Sequence, residues 1–200
     1  MKENALTPAT PEMAPEGAEL ALLAGEELIP ALFGPDARHF WECAFQYRQC
    51  SFSYEHSWFL EIDGKSVGIA VGYDYETQKK EGRRTFWAMI NCLKWTFLKQ
   101  LSELRQSGAL MARTREGDYY LSNLAVYPEY RGQGYGTIIM DSVEKMASES
   151  GCKRVVLDAE VVKERTLQFY RGRGYQIEET LPTLKTRNGD FKLQRMVKAI

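Results

Sequence analysis

The chain contains no C-x-x-C pair: its four cysteines, Cys43, Cys50, Cys92 and Cys152, are scattered through segments that otherwise read as core. That spacing supports neither a metal site nor a disulfide framework, and a reduced cytoplasm is the setting that fits it. No apolar run approaches the roughly 18 residues of a membrane-spanning helix. The acidic, proline-containing N-terminal stretch lacks the cationic character of a secretion signal, so a soluble, non-exported protein is expected. Cationic excess is missing too. With 26 Lys and Arg against 27 Asp and Glu, the formal net charge is −1, which leaves no basic footprint for nucleic acid. Only two histidines are present, and neither His39 nor His56 lies in a recognisable catalytic arrangement. There is no internal repeat and no low-complexity linker. A content of 44% hydrophobic and 26% charged residues over 200 positions suits one globular domain, residues 1–200.

What the chain does have is a glycine-rich turn, Arg131-Gly132-Gln133-Gly134-Tyr135-Gly136-Thr137, entered from the apolar run Leu121 to Val126 and left through an apolar-periodic helix from Ile138 onward. Strand, glycine turn and helix start make an anion cradle, because the first N–H groups of a helix have no internal partner and the helix dipole adds positive charge there. Two phosphate-binding patterns fail on spacing. A Walker loop needs Lys and then Ser or Thr after its last glycine, but Gly136 is followed by Thr137 and Ile138. A dinucleotide fingerprint needs G-x-G-x-x-G, and Thr137 stands where its third glycine belongs. A plain helix start, with glycine present only for the turn, stays open from the loop alone.

The neighbouring residues decide between these. After the helix, Thr137 to about Ser150, come Gly151 as a stop and a strand over Lys153 to Val161. A short helix follows over Arg165 to Arg171, and then Phe169-Tyr170-Arg171-Gly172-Arg173-Gly174-Tyr175. The segment Leu124 to Gly136 resembles motif A of the GNAT superfamily of N-acetyltransferases: an apolar strand, a proline, then Arg/Gln-x-x-Gly-x-Gly/Ala. The Phe169 to Tyr175 segment resembles the Phe-Tyr-x-x-x-Gly-Phe/Tyr that closes the same family's cofactor region. The two motifs stand in the family's order and at its separation, covering roughly residues 119 to 180.

The resemblance implies an α/β (α+β) fold with a mixed, mostly antiparallel central sheet flanked by helices, and acetyl-CoA as acetyl donor. By position it assigns the pantetheine arm to the backbone of Leu124, Ala125 and Val126. The pyrophosphate falls to Arg131, Gly132, Gln133, Gly134, Tyr135, Gly136 and Thr137. It makes Tyr170 the acid that protonates the departing thiolate, with a buried core tyrosine as the plain alternative. It suggests Asp158 as base, with Glu160 two residues along; a solvated or salt-bridged strand carboxylate is the competing reading. Tyr119, Tyr120, Ser122 and Asn123 are further acceptor-site candidates. One departure stands out: where the family often has an Asn seven residues before the Tyr, this chain has Lys163, which cannot accept a hydrogen bond. With Arg165, Arg171 and Arg173 it forms either a basic rim for the nucleotide end or a solvated helix face.

Upstream, a short strand is expected around Ala5 to Ala9, helices over Pro11 to about Ala24 and over Asp36 to Gln49, and a hairpin joining Ser57–Asp63 to Val67–Tyr75 through Asp63-Gly64-Lys65. The forty residues between the third and fourth strands, about 76–117, exceed the short turn of a minimal family member. Phe86, Ile90, Leu93, Phe97, Leu101 and Leu104 predict one long amphipathic helix there, with Gly82 and Gly108 as caps or hinges at its ends. That insertion packs on the core, walls the acceptor pocket or makes a homodimer face. The activity implied is transfer of acetyl to a primary amine of a small molecule or peptide, with no covalent cysteine intermediate. The alternative is a catalytically silent acyl-CoA sensor, suggested by the missing Asn.

Overall fold

The computed structural model describes residues 6–111 and 113–200. In chain order the elements are β1 (Leu6–Pro8), α1 (Ala14–Ala24), α2 (Leu28–Phe33), α3 (Ala37–Phe45), β2 (Ser57–Ile62), β3 (Lys65–Asp74), α4 (Tyr75–Leu93), α5 (Trp95–Leu110), β4 (Asp118–Val126), α6 (Tyr135–Glu149), β5 (Arg154–Glu160), α7 (Glu164–Gly172), β6 (Gln176–Thr180), β7 (Leu184–Thr186), β8 (Gly189–Phe191) and β9 (Leu193–Ala199). Seven strands form a sheet in the order β1-β2-β3-β4-β5-β9-β6, antiparallel at every step except β4 beside β5, while β7 and β8 pair separately. The expected mixed sheet is therefore present. The Ala5 end of the first expected strand lies outside the described residues.

Local chemistry accounts for the elements that frame the site. The β2–β3 hairpin turns on Asp63 and Gly64, both with positive φ (51° and 74°), the two-residue geometry whose twist matches its strands. Asp74 ends β3 and caps α4, accepting from Thr77 N–H at 2.7 Å, so the insertion leaves the sheet without a loop. One apolar cluster joins Ile139, Met140 and Val143 of α6 to the sheet through Leu60, Val155 and Met196. On a second, Leu20 of α1 and Phe45 meet Phe59, Ile69 and Ala125. A third knits α2, α3, α4 and α5 together through Phe33, Phe40, Trp41, Leu93 and Phe97.

Three expectations need correcting. The insertion is two helices, broken at Lys94 (φ 50°, ψ −123°). Leu93 and Phe97 both reach the core, so the apolar spacing runs on through a break made by a single residue's backbone. Gly82 accordingly lies inside α4 and Gly108 in the last turn of α5, neither acting as a hinge. The cysteine reading also fails: Cys43 of α3 and Cys92 of α4 form a disulfide, with Cα atoms 5.7 Å apart across 49 residues of sequence. Such a pair is visible only once α3 and α4 have docked. Loop-closure entropy for that separation amounts to roughly 4 kcal/mol. Cys92→Ser should lower unfolding free energy by about 3–4 kcal/mol in a denaturant titration without reductant; a loss under about 1 kcal/mol would mean the bridge constrains little.

Candidate active site

The parting of β4 from β5 builds the site. The two strands pair at only three positions, Asp118 to Tyr120 against Arg154 to Val156, and then diverge. Their divergence coincides with a bulge in β4: Val71 faces Asn123 and Gly72 faces Leu121, leaving Ser122 as the extra residue. A bulge bends its strand and increases twist, so β4 swings away from β5 just beyond Tyr120 and leaves an open backbone edge over Leu121 to Val126. At the far end of that edge is the glycine turn. Gly132 and Gly134 have φ of 77° and 87°, and a Cβ built on either meets nothing within 4 Å. Gly134 caps α6, whose first internal bonds run from Thr137 and Ile138 N–H to Gly134 C=O, so the N–H groups ahead of them face out of the helix. The turn fits an anionic diphosphate: open space, donors and the positive end of a 15-residue helix.

The turn's side chains hold it in shape. Arg131 Nε donates to Val126 C=O at 2.9 Å, and Gln133 Nε2 donates to Glu129 C=O at 3.0 Å. Arg131 therefore closes the loop onto the strand it left. Tyr135 packs edge-on against Tyr130, and Thr137 is exposed at the helix start. Gly136 lies beside the Phe169 ring, 3.4 Å from where its Cβ would stand, an ordinary contact. That contact joins the two sequence motifs in space.

Below the parted strands is a cavity of about 540 Å³. Leu124, Asp158, Glu160, Lys163 and Tyr170 line it from the sheet and α7, and the insertion contributes Gln78, Thr85, Phe86, Met89 and Leu104, so the insertion does wall the pocket. Its most exposed aromatics, Trp87 (57%) and Trp95 (83%), are not among the lining residues, so the wall and the dimer readings concern different residues of the same helices. Tyr170 is buried against Phe169 and Tyr175, and loss of water holds its phenol well above the ordinary tyrosine range. Asp158 is wholly enclosed. Arg195 of β9 grips both its oxygens, Nε to Oδ1 at 2.9 Å and Nη2 to Oδ2 at 3.1 Å, while Tyr120 donates its hydroxyl to Oδ2 at 3.2 Å.

Of the remaining candidates, Tyr120, Ser122 and Asn123 line the cavity. Tyr119 sits in the apolar cluster under α6, on the opposite side of the sheet from that chamber. Ala125 and Val126 are buried in the sheet, so their backbone, not their side chains, borders the opening. The basic rim is largely spoken for: Lys163 pairs with Glu160 at 3.1 Å, Arg171 with Glu164 at 3.4 Å, and Arg173 with Asp141 and Glu144 on α6. His56 is satisfied by Glu81, Nε2 to Oε2 at 2.7 Å. Sequence reading missed Arg195, Tyr73 and Trp41. Each belongs to a segment with no motif, and only tertiary pairing brings it to the cavity wall or to Asp158.

A profile described as the acetyltransferase (GNAT) family matches residues 26–175. The bovine thialysine N-epsilon-acetyltransferase is 37% identical over 57 residues, which cover 28% of this chain and about a third (34%) of that relative's length. Two solved structures share the fold across nearly the whole chain. An acetyltransferase is 22% identical, with a TM-score of 0.66 and 98% of each chain covered. An N-acetyltransferase from Staphylococcus aureus Mu50 is 16% identical, with a TM-score of 0.68 and coverage of 96% of this chain and 99% of its own. Strand order, motif geometry and the 26–175 match agree, and the chain belongs to the acetyltransferase (GNAT) family.

Proposed function

We propose that this chain is an N-acetyltransferase that takes the acetyl group of acetyl-CoA and delivers it to a primary amine by direct attack. The observation that carries this reading is the parting of β4 from β5, with a diphosphate cradle at one end and the cavity at the other. The open edge of Leu124, Ala125 and Val126 receives the pantetheine arm as an added strand, and Gly132 to Thr137 take the pyrophosphate. Bound acetyl-CoA supplies the activated thioester.

The protein's own task is to manage two protons. An alkyl ammonium has a pKa of about 10.4, roughly 3.4 units above pH 7, so shedding its proton costs about 4–5 kcal/mol. Asp158 accepts that proton through Tyr120: the amine gives its proton to the Tyr120 oxygen while the Tyr120 hydroxyl proton passes to Asp158 Oδ2, along the 3.2 Å hydrogen bond. Arg195 fixes the carboxylate in line for this. On the other side, Tyr170 holds its phenolic proton for the sulfur as the C–S bond breaks and the N–C bond forms. Lys163, paired with Glu160 at the mouth of α7, borders the donor's path.

The test is release of free CoA from acetyl-CoA over a panel of primary amines. Saturable release with formation of acetylated amine is expected. Tight acetyl-CoA binding without turnover on any amine would overturn transfer and favour the silent sensor.

A further inference from the structure

The near-neutral balance of the whole chain hides an uneven distribution of charge. The two insertion helices concentrate cations: Lys79, Lys80, Arg83 and Arg84 on α4, Lys94 at the break, and Lys99 and Arg105 on α5. All are exposed, and none has an ion-pair partner among the described residues, whereas Arg154, Arg173 and Arg195 each face a carboxylate. Acids do not offset them. Of Glu76, Glu81 and Glu103, the last two are buried and already held, Glu81 by His56 at 2.7 Å and Glu103 by Arg187 at 3.3 Å.

Helical spacing gathers these cations with exposed apolar side chains. At about 100° per residue, Lys79, Lys80, Arg83, Arg84 and Trp87 fall on one side of α4, away from the buried Ala88 and Cys92. On α5, Trp95, Leu98, Lys99 and Arg105 fall on one side, away from the buried Phe97 and Gln100. Lys94 and Trp95 stand at the turn that joins the helices, and Phe86 bridges them, its ring edge-on to Trp87 and to Phe97.

We infer that this basic, tryptophan-bearing side of α4 and α5 docks on the surface of an anionic bilayer. Unpaired cations complement lipid phosphates, and indole rings favour the boundary between headgroups and hydrocarbon. Leu98 has no flat face on which a nucleic-acid base could stack; an apolar phase accommodates it. The chain lies on the membrane, since no helix among the described residues is long and apolar enough to cross one. Other residues of the same helices, Thr85, Met89 and Leu104, wall the chamber, so docking does not use them.

The 200-residue chain is sedimented with vesicles of phosphatidylcholine, alone or with about 30% phosphatidylglycerol. Binding should be at least about tenfold stronger to the anionic vesicles, fall at least about tenfold between about 0.05 and 0.5 M salt, and shift tryptophan emission to shorter wavelength. Arg83→Glu with Arg84→Glu should weaken binding at least about tenfold, and Trp87→Ala with Trp95→Ala should remove most of the emission shift. All four side chains are exposed, so thermal melts of both variants should match wild type. Absence of binding, equal binding to neutral vesicles, or an unmoved emission would overturn the inference. So would a dimer in light scattering that Trp87→Ala with Trp95→Ala dissociates, without vesicle binding, which would give the face to a second copy. Tighter binding to single-stranded DNA than to vesicles would likewise overturn it.

Discussion

Gly134→Glu abolishes acetyl-CoA binding, raising Kd at least 100-fold in calorimetry. Two effects add. Gly134 sits at φ 87°, a left-handed conformation that costs a residue with a Cβ about 1–2 kcal/mol. The new carboxylate then stands at the mouth of the helix, where the donor's own phosphates must bind, and cancels the field that attracts them. Nothing within 4 Å of the position needs to move, so the fold should survive; a thermal melt with the same cooperativity verifies that. Gly134→Ala separates the two effects. It keeps the backbone strain without the charge, so its loss should be about 5–30-fold. Normal acetyl-CoA affinity in Gly134→Glu would mean that the diphosphate lies elsewhere.

The proposed donor half of the site could be read from sequence because its chemistry is local. A strand, two left-handed glycines and a helix start follow one another within about a dozen residues, and their composition declares them. Even there, the structure adds contacts that the motif did not declare: Gly136 lies beside Phe169, and Arg131 closes the loop onto Val126. The proposed acceptor half depends on pairing between distant segments. Ser122 is a bulge only because β3 and β4 register as they do, and the opening of the sheet follows from it. Arg195 comes from the last strand to hold Asp158, and Cys43 meets Cys92 only after α3 packs on α4. Periodicity found the buried centre of the insertion, Leu93 and Phe97, but overreached at Phe86, which is 46% exposed, and was a poor guide to continuity, because Lys94 turns the chain without disturbing the apolar spacing. α2 was missed for a related reason: Gly25 reads as a stop, and the short Leu28–Phe33 run carrying Pro30 offers too few turns to declare a period.

Tyr170→Phe should lower kcat about 10–100-fold at pH 7 and leave the KM for acetyl-CoA within about twofold. The ring keeps its packing between Phe169 and Tyr175, and only the proton is removed. The sign of the pH dependence follows from burial. Burial raises the Tyr170 phenol, so the group keeps its proton as pH rises and stays a competent acid throughout the working range. The wild-type rate should therefore climb as the acceptor amine loses its proton, with no descending limb up to about pH 10. The leaving thiol itself has a pKa near about 8.5, above which the departing thiolate is stable without a proton. The Tyr170→Phe deficit should then shrink between about pH 8.5 and 10. A deficit of constant size across that interval would make Tyr170 a positioning residue for the thioester, and an unchanged kcat at pH 7 would reduce it to packing.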